Sequence, residues 1–74
     1  MLYDYSKLLG KIRELGYTQE TLAKAVRMSE STLNLKLNNK GNFKQAEIKK
    51  ICMVLCISTE EIGEYFFTEK VQNF

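Results

Sequence analysis

The stretch from Thr18 to Asn38 constrains the fold most, because it holds two apolar stripes of helical spacing with almost no chain between them. Leu22 and Val26 lie four residues apart with Ala23 on their flank, and Leu33 and Leu37 repeat that spacing. Residues four apart share a helix face, so each stripe needs a cover. Thr18 and Ser29 are good N-caps, which predicts helices over 18–26 and 29–38. Only a three- or four-residue turn fits between them, and two helices so joined bury both stripes only by crossing. A methyl group at Ala23 permits the close approach that a larger side chain would prevent.

The second of these helices has an unusual outer face. Glu30, Ser31, Asn34, Leu35 and Asn38 lie opposite Leu33 and Leu37, and most are short and polar. Such side chains can pair with base edges in a major groove. A merely solvated helix face also looks polar, so this pattern alone leaves both readings open.

Three more helices flank the pair. The first is expected over 5–15, with Asp4 as N-cap or first-turn anion, Gly16 ending it, and Leu8, Leu9, Ile12 and Leu15 buried. Tyr17 is placed to staple onto Leu22. After the polar loop Asn39–Phe43, a fourth helix over 44–55 turns Ala46, Ile48, Ile51, Cys52 and Leu55 inward, with Glu47, Lys49 and Lys50 outside. Ser58 and Glu61 form a capping box that opens a fifth helix over 58–66. Ile62, Tyr65 and Phe66 are its apolar members. The tail, 67–74, carries Phe67, Val71 and Phe74, too many large apolar groups for a simple frayed end.

Composition narrows the function. Seventy-four residues, 45% of them hydrophobic, form one domain over 1–74 near the lower size limit for an unstapled core. No run of about 18 apolar residues is present, and Met1–Asp4 lacks a secretory start, so a cytoplasmic chain without a membrane partner is expected. There is no His, no nucleophile elbow, no phosphate-binding glycine loop and no carboxylate pair around a plausible cleft. Neither an enzyme, a small-molecule substrate nor a cofactor is indicated. Cys52 and Cys56, at i and i+4 and without His, read as core thiols of a reducing compartment, not as a disulfide or a metal site. The net charge of +2 is unevenly spread: residues 19–44 carry +3 and residues 45–74 carry −2. The positive potential therefore centres on the second of the paired helices and the loop after it.

Gln19, Ala23, Leu33 and the run Leu37-Asn38-Asn39-Lys40 resemble the phage Cro/CI-type (XRE-like) helix-turn-helix repressors. The resemblance covers roughly residues 5–66 in helix order. It departs from the family at Arg27, which stands where the turn usually has Gly; a positive φ there costs ~1 kcal/mol that Gly avoids. It implies an all-α, compact bundle of five short helices of the lambda-repressor-like type, with the second and third forming a helix-turn-helix. It further implies sequence-specific binding of double-stranded DNA by a small Cro-like (pro)phage transcriptional regulator. Glu30, Ser31, Asn34 and Leu35 would meet bases, and Gln19, Asn38, Lys40 and Lys44 would meet phosphates. A near-palindromic operator read by a homodimer would match such a module. The apolar excess at Ile62, Tyr65, Phe66, Phe67, Val71 and Phe74 marks the expected dimer surface. The alternative is a protein–protein interaction module on the same bundle, which Glu30 and Leu35 favour, since a carboxylate repels phosphate and an exposed leucine suits a protein groove.

Overall fold

Caps at both ends of the helices divide this chain into its elements. The computed structural model describes residues 2–71, which form five helices: α1 (Ser6–Glu14), α2 (Gln19–Val26), α3 (Glu30–Leu37), α4 (Gln45–Leu55) and α5 (Ile62–Phe66). A 3-10 turn over Thr59–Glu61 leads into α5. Thr18 Oγ1 accepts from the Thr21 N–H at 3.1 Å, and Thr21 Oγ1 accepts from the Thr18 N–H at 2.8 Å. Ser29 Oγ accepts from the Thr32 N–H at 3.1 Å. Each such cap stabilises its helix by ~1 kcal/mol. Asp4 accepts from the Ser6 N–H at 2.8 Å, one residue ahead of the cap position, which Tyr5 holds without a side-chain bond. Glu61 reaches back to the Ser58 N–H at 3.2 Å, as the capping-box pattern predicts.

Four helices stop in the same way. Gly16, Arg27, Asn39 and Cys56 have φ of 81°, 59°, 62° and 56°, and each is followed by a residue whose N–H donates five positions back. These bonds run from Tyr17 to Ile12, Met28 to Ala23, Lys40 to Leu35 and Ile57 to Cys52, at 2.9, 2.9, 2.8 and 2.9 Å. This is the Schellman arrangement, usually built on Gly because only Gly enters the left-handed region without a Cβ penalty. Arg27 therefore carries the strain expected of it, and Cys56 carries the same. In three of the four, the residue after the left-handed one (Tyr17, Met28, Ile57) folds onto the core, and that burial offsets the strain.

The core collects Leu8 and Ile12 of α1, Leu22, Ala23 and Val26 of α2, and Leu33 and Leu37 of α3. Ile51 and Leu55 of α4 and Tyr65 and Phe66 of α5 complete it. α2 packs on both α3 and α4, while α1 packs on α5. Across the latter contact Lys7 pairs with Glu64 and sits 5.0 Å over the Tyr65 ring. A series of ring contacts runs Phe67–Tyr3, Tyr3–Tyr5, Tyr5–Phe43 and Phe43–Phe66 at 5.8, 6.2, 5.5 and 5.4 Å, three of them edge-to-face. The radius of gyration, 11.8 Å, is close to the ~11 Å of a compact chain of this length.

Several side chains depart from the sequence pattern. Leu15 is exposed, because α1 stops at Glu14 and the C-cap turns it out of the buried stripe. Ala46 is exposed and Glu47 half-buried, because Glu47 must reach back to the Lys44 N–H (2.8 Å) and inward to α3. Of the two cysteines only Cys52 is in the core, where burial pushes its thiol pKa up. Cys56 is exposed, since its left-handed backbone breaks the four-residue register that would have placed it beside Cys52. No helix among the described residues is long and apolar enough to cross a membrane.

Candidate nucleic-acid interface

α3 is held from behind. Leu33 and Leu37 are buried against Leu22, Ala23 and Val26, and Ala23 has almost no exposed surface, so nothing larger fits at that approach. Three residues, Arg27 to Ser29, connect the two helices. The opposite side of α3 is open: Glu30, Ser31, Asn34, Leu35 and Asn38 are all exposed and share one face. The four residues expected at bases are thus brought together.

The residues expected at phosphates are less uniform. Gln19 is half-buried, and its Oε1 accepts from Asn34 Nδ2 at 3.1 Å, so the two amides form one unit bridging the start of α2 and the middle of α3. Asn38 Nδ2 donates to the Asn34 carbonyl at 2.8 Å, which turns its amide onto its own helix. Lys40 and Lys44 stand exposed within the loop after α3 and at its end.

Charge on this side is lower than the sequence count suggests. Lys36 is drawn beneath α3 to Glu47 of α4, at 2.5 Å, with side chains only 11% and 16% exposed. Burial pushes the Glu47 carboxyl up, but the Lys36 ammonium and the Lys44 N–H outweigh it and hold the carboxyl below the usual range. Lys24 pairs with Glu20 at 3.4 Å in the open. Arg27, Lys40 and Lys44 have no ion-pair partner among the described residues, and they carry the positive potential beside α3.

Sequence reasoning did not foresee Lys36–Glu47 or the role of Asn39. The Asn39 amide takes both backbone groups of Tyr3: Oδ1 accepts from its N–H at 2.8 Å and Nδ2 donates to its carbonyl at 2.9 Å. The one local signal for Glu47 was its place three residues after Lys44, the offset from which a carboxylate reaches back to a helix start.

The residues expected at a dimer surface separate. Tyr65 and Phe66 belong to the core of their own chain, Ile62 is half-buried, and Phe67 and Val71 are exposed; Phe74 lies outside the described residues. The beginning of the tail pairs within the chain, with an antiparallel bridge between Tyr3 and Glu69. Asp4 N–H donates to the Thr68 carbonyl at 2.7 Å and Lys70 N–H to the Leu2 carbonyl at 2.9 Å.

These features define a small all-α domain of five helices that presents one open polar helix face. Residues 1–69 match the family described as "Protein of unknown function (DUF739)", and the chain belongs to that family. Among solved structures it is similar to the solution structure of the modulator of repression (MOR) of the temperate bacteriophage TP901-1 from Lactococcus lactis. The two are 49% identical, the TM-score is 0.78, and the match covers 97% of each chain. Among curated proteins none matches the chain.

Proposed function

We propose that this chain is a small phage-type transcriptional regulator that modulates repression, as its similarity to MOR suggests, and that it works by placing α3 in the major groove of double-stranded DNA. The observation that carries this reading is the Gln19–Asn34 bond at 3.1 Å in the middle of the open face. It uses one N–H of the Asn34 amide and leaves the second N–H and Oδ1, the donor and acceptor that pair with adenine N7 and N6. Ser31 and Glu30 stand one turn ahead of Asn34, where hydroxyl and carboxylate suit a cytosine N4, and Leu35 suits a thymine methyl. Arg27, Lys40 and Lys44 supply the phosphate contacts, with Gln19 acting through Asn34 and Asn38 at the end of the helix. Selection of duplexes from random sequence, followed by binding at several salt concentrations, tests the reading. A selected site whose log affinity falls linearly with log salt supports it.

A second reading rests on Leu35, 48% exposed at the centre of the same face, and on the neutralisation of Lys36 by Glu47. An apolar centre with reduced positive charge suits a protein surface, so the same face would dock on another protein of the repression system. Absence of any selected duplex at low salt, with the chain folded, would decide for this second reading.

A further inference from the structure

Behind the open face, one carboxylate ties together the parts of the chain that frame the loop after α3. Glu47 Oε1 accepts from Lys36 Nζ of α3 at 2.5 Å and from the Lys44 N–H, at the far end of the loop, at 2.8 Å. Between these anchors the Lys36 stem runs along the loop, where a Cβ added at Gly41 would lie 3.6 Å from Lys36 Cγ. α3 and α4 each pack on α2, and the Lys36–Glu47 bond ties them directly to one another across the loop that carries Lys40 and Lys44. Stability alone does not account for this pair. Among the described ion pairs it is the one shielded at both ends, whereas each of the others has at least one side chain more than half exposed. A shielded pair replaced whole by apolar groups of similar size often leaves a fold as stable or more so, because desolvation offsets the attraction. What apolar groups lack is direction: the carboxylate oxygen fixes two donors at set distances.

We propose that Glu47, acting through Lys36 and the Lys44 N–H, is a positioning residue for the phosphate contacts. It touches no nucleic acid itself but holds the backbone from which Lys40 and Lys44 reach the DNA strands. This rests on the reading of α3 as a DNA-binding helix. A lysine side chain is long and flexible, so the affinity it contributes depends on how much of the chain around it must still be ordered on binding. Asn39 pins the near end of the loop to Tyr3, and Glu47 pins the far end, so both lysines start from a fixed frame. The outer face of α3 is held separately, by the burial of Leu33 and Leu37. Loss of the tie therefore lowers affinity for every duplex and leaves the choice between sequences intact.

The test is Lys36→Met combined with Glu47→Leu, which replaces the pair by apolar groups and leaves the net charge at +2. Circular dichroism and urea unfolding should find this double variant as helical and as stable as the intact chain. Its affinities for the selected duplex and for an unrelated one should both fall, by about tenfold, with the ratio between them unchanged. In a Lys44→Ala background the same double change should lower affinity by a clearly smaller factor, because part of its effect runs through Lys44. Lys36→Met combined with Glu47→Gln also breaks the tie to α3 but keeps an oxygen for the Lys44 N–H. It should lose less affinity, and it carries the test if the first variant does not fold. A folded double variant that binds both duplexes as the intact chain does overturns the proposal. So does an equal loss with and without Lys44, which is what a purely structural role predicts. An intact chain that binds neither duplex overturns it as well and takes the DNA reading with it, whereas the first two outcomes leave that reading standing.

Discussion

Asn39 holds Tyr3 by both of its backbone groups, at 2.8 and 2.9 Å, and so fastens the loop after α3 to a segment thirty-six residues earlier in the chain. An asparagine amide has the donor and the acceptor for this, and Asn also tolerates the left-handed backbone, φ 62°, that closes α3. Replacing Asn39 by Gly keeps the backbone freedom and removes the clamp. Asn39→Gly should lower stability by about 1–2 kcal/mol in urea unfolding. Unchanged stability would show that water replaces both bonds at no cost.

Arg27 and Cys56 hold the same backbone conformation without an asparagine side chain that tolerates it, and the burial of Met28 and Ile57 offsets that strain without removing it. Arg27→Gly and Cys56→Gly should each raise stability by up to about 1 kcal/mol, less the entropy that Gly adds to the unfolded chain. Thermal melting without ligand reads this directly. A clear drop in Tm for either variant would mean that the side chain contributes more than the strain costs.

Glu47→Gln should destabilise the chain by about 1–3 kcal/mol at neutral pH, because it leaves the Lys36 ammonium beneath α3 without its counter-charge. The folded-state pKa of Glu47 is lowered, so its contribution is complete above the unfolded carboxylate value of ~4.3 and is lost as pH falls through the lower folded value. The stability gap between the intact chain and Glu47→Gln should therefore be wide at neutral pH and close in acid. A gap of constant size down to acid pH would assign the effect to packing instead.

On the proposed DNA reading, Asn34→Ala should cost ~1–3 kcal/mol at the selected site and relax preference at one base pair. Gln19→Ala should show the same loss of preference, since Gln19 holds the Asn34 amide. Lys44→Ala should weaken all sequences alike and reduce the salt slope by about one. If Gln19→Ala behaved like Lys44→Ala, Gln19 would be a phosphate contact in its own right.

Much of this fold was legible because its signals are local. Thr18 and Ser29 cap helices through bonds that span three residues, and the stripes Leu22–Val26 and Leu33–Leu37 need only the helical period. The five helices accordingly lie where caps and periodicity put them, to within a residue or two, save α5, whose first turn is 3-10. The open face of α3 was legible for the same reason, as the complement of its buried stripe. Cys56 shows the limit of that rule: the four-residue register holds only while the backbone stays helical.

The sequence by itself determined the order of helices, their buried stripes and the identity of the exposed face, because neighbours within four positions decide each of these. Only the tertiary structure decided which polar groups meet across the chain. Lys36 could have stayed in solvent as a fourth unpaired cation beside α3, yet the packing of α4 brings Glu47 to it. Gln19 could have pointed outward, yet the crossing of α2 and α3 sets its amide on Asn34. Tyr65 and Phe66 could have served a second copy, yet α1 and Phe43 cover them. In each case the partner is eleven or more residues away, and no periodicity encodes a contact that exists only once the elements are packed.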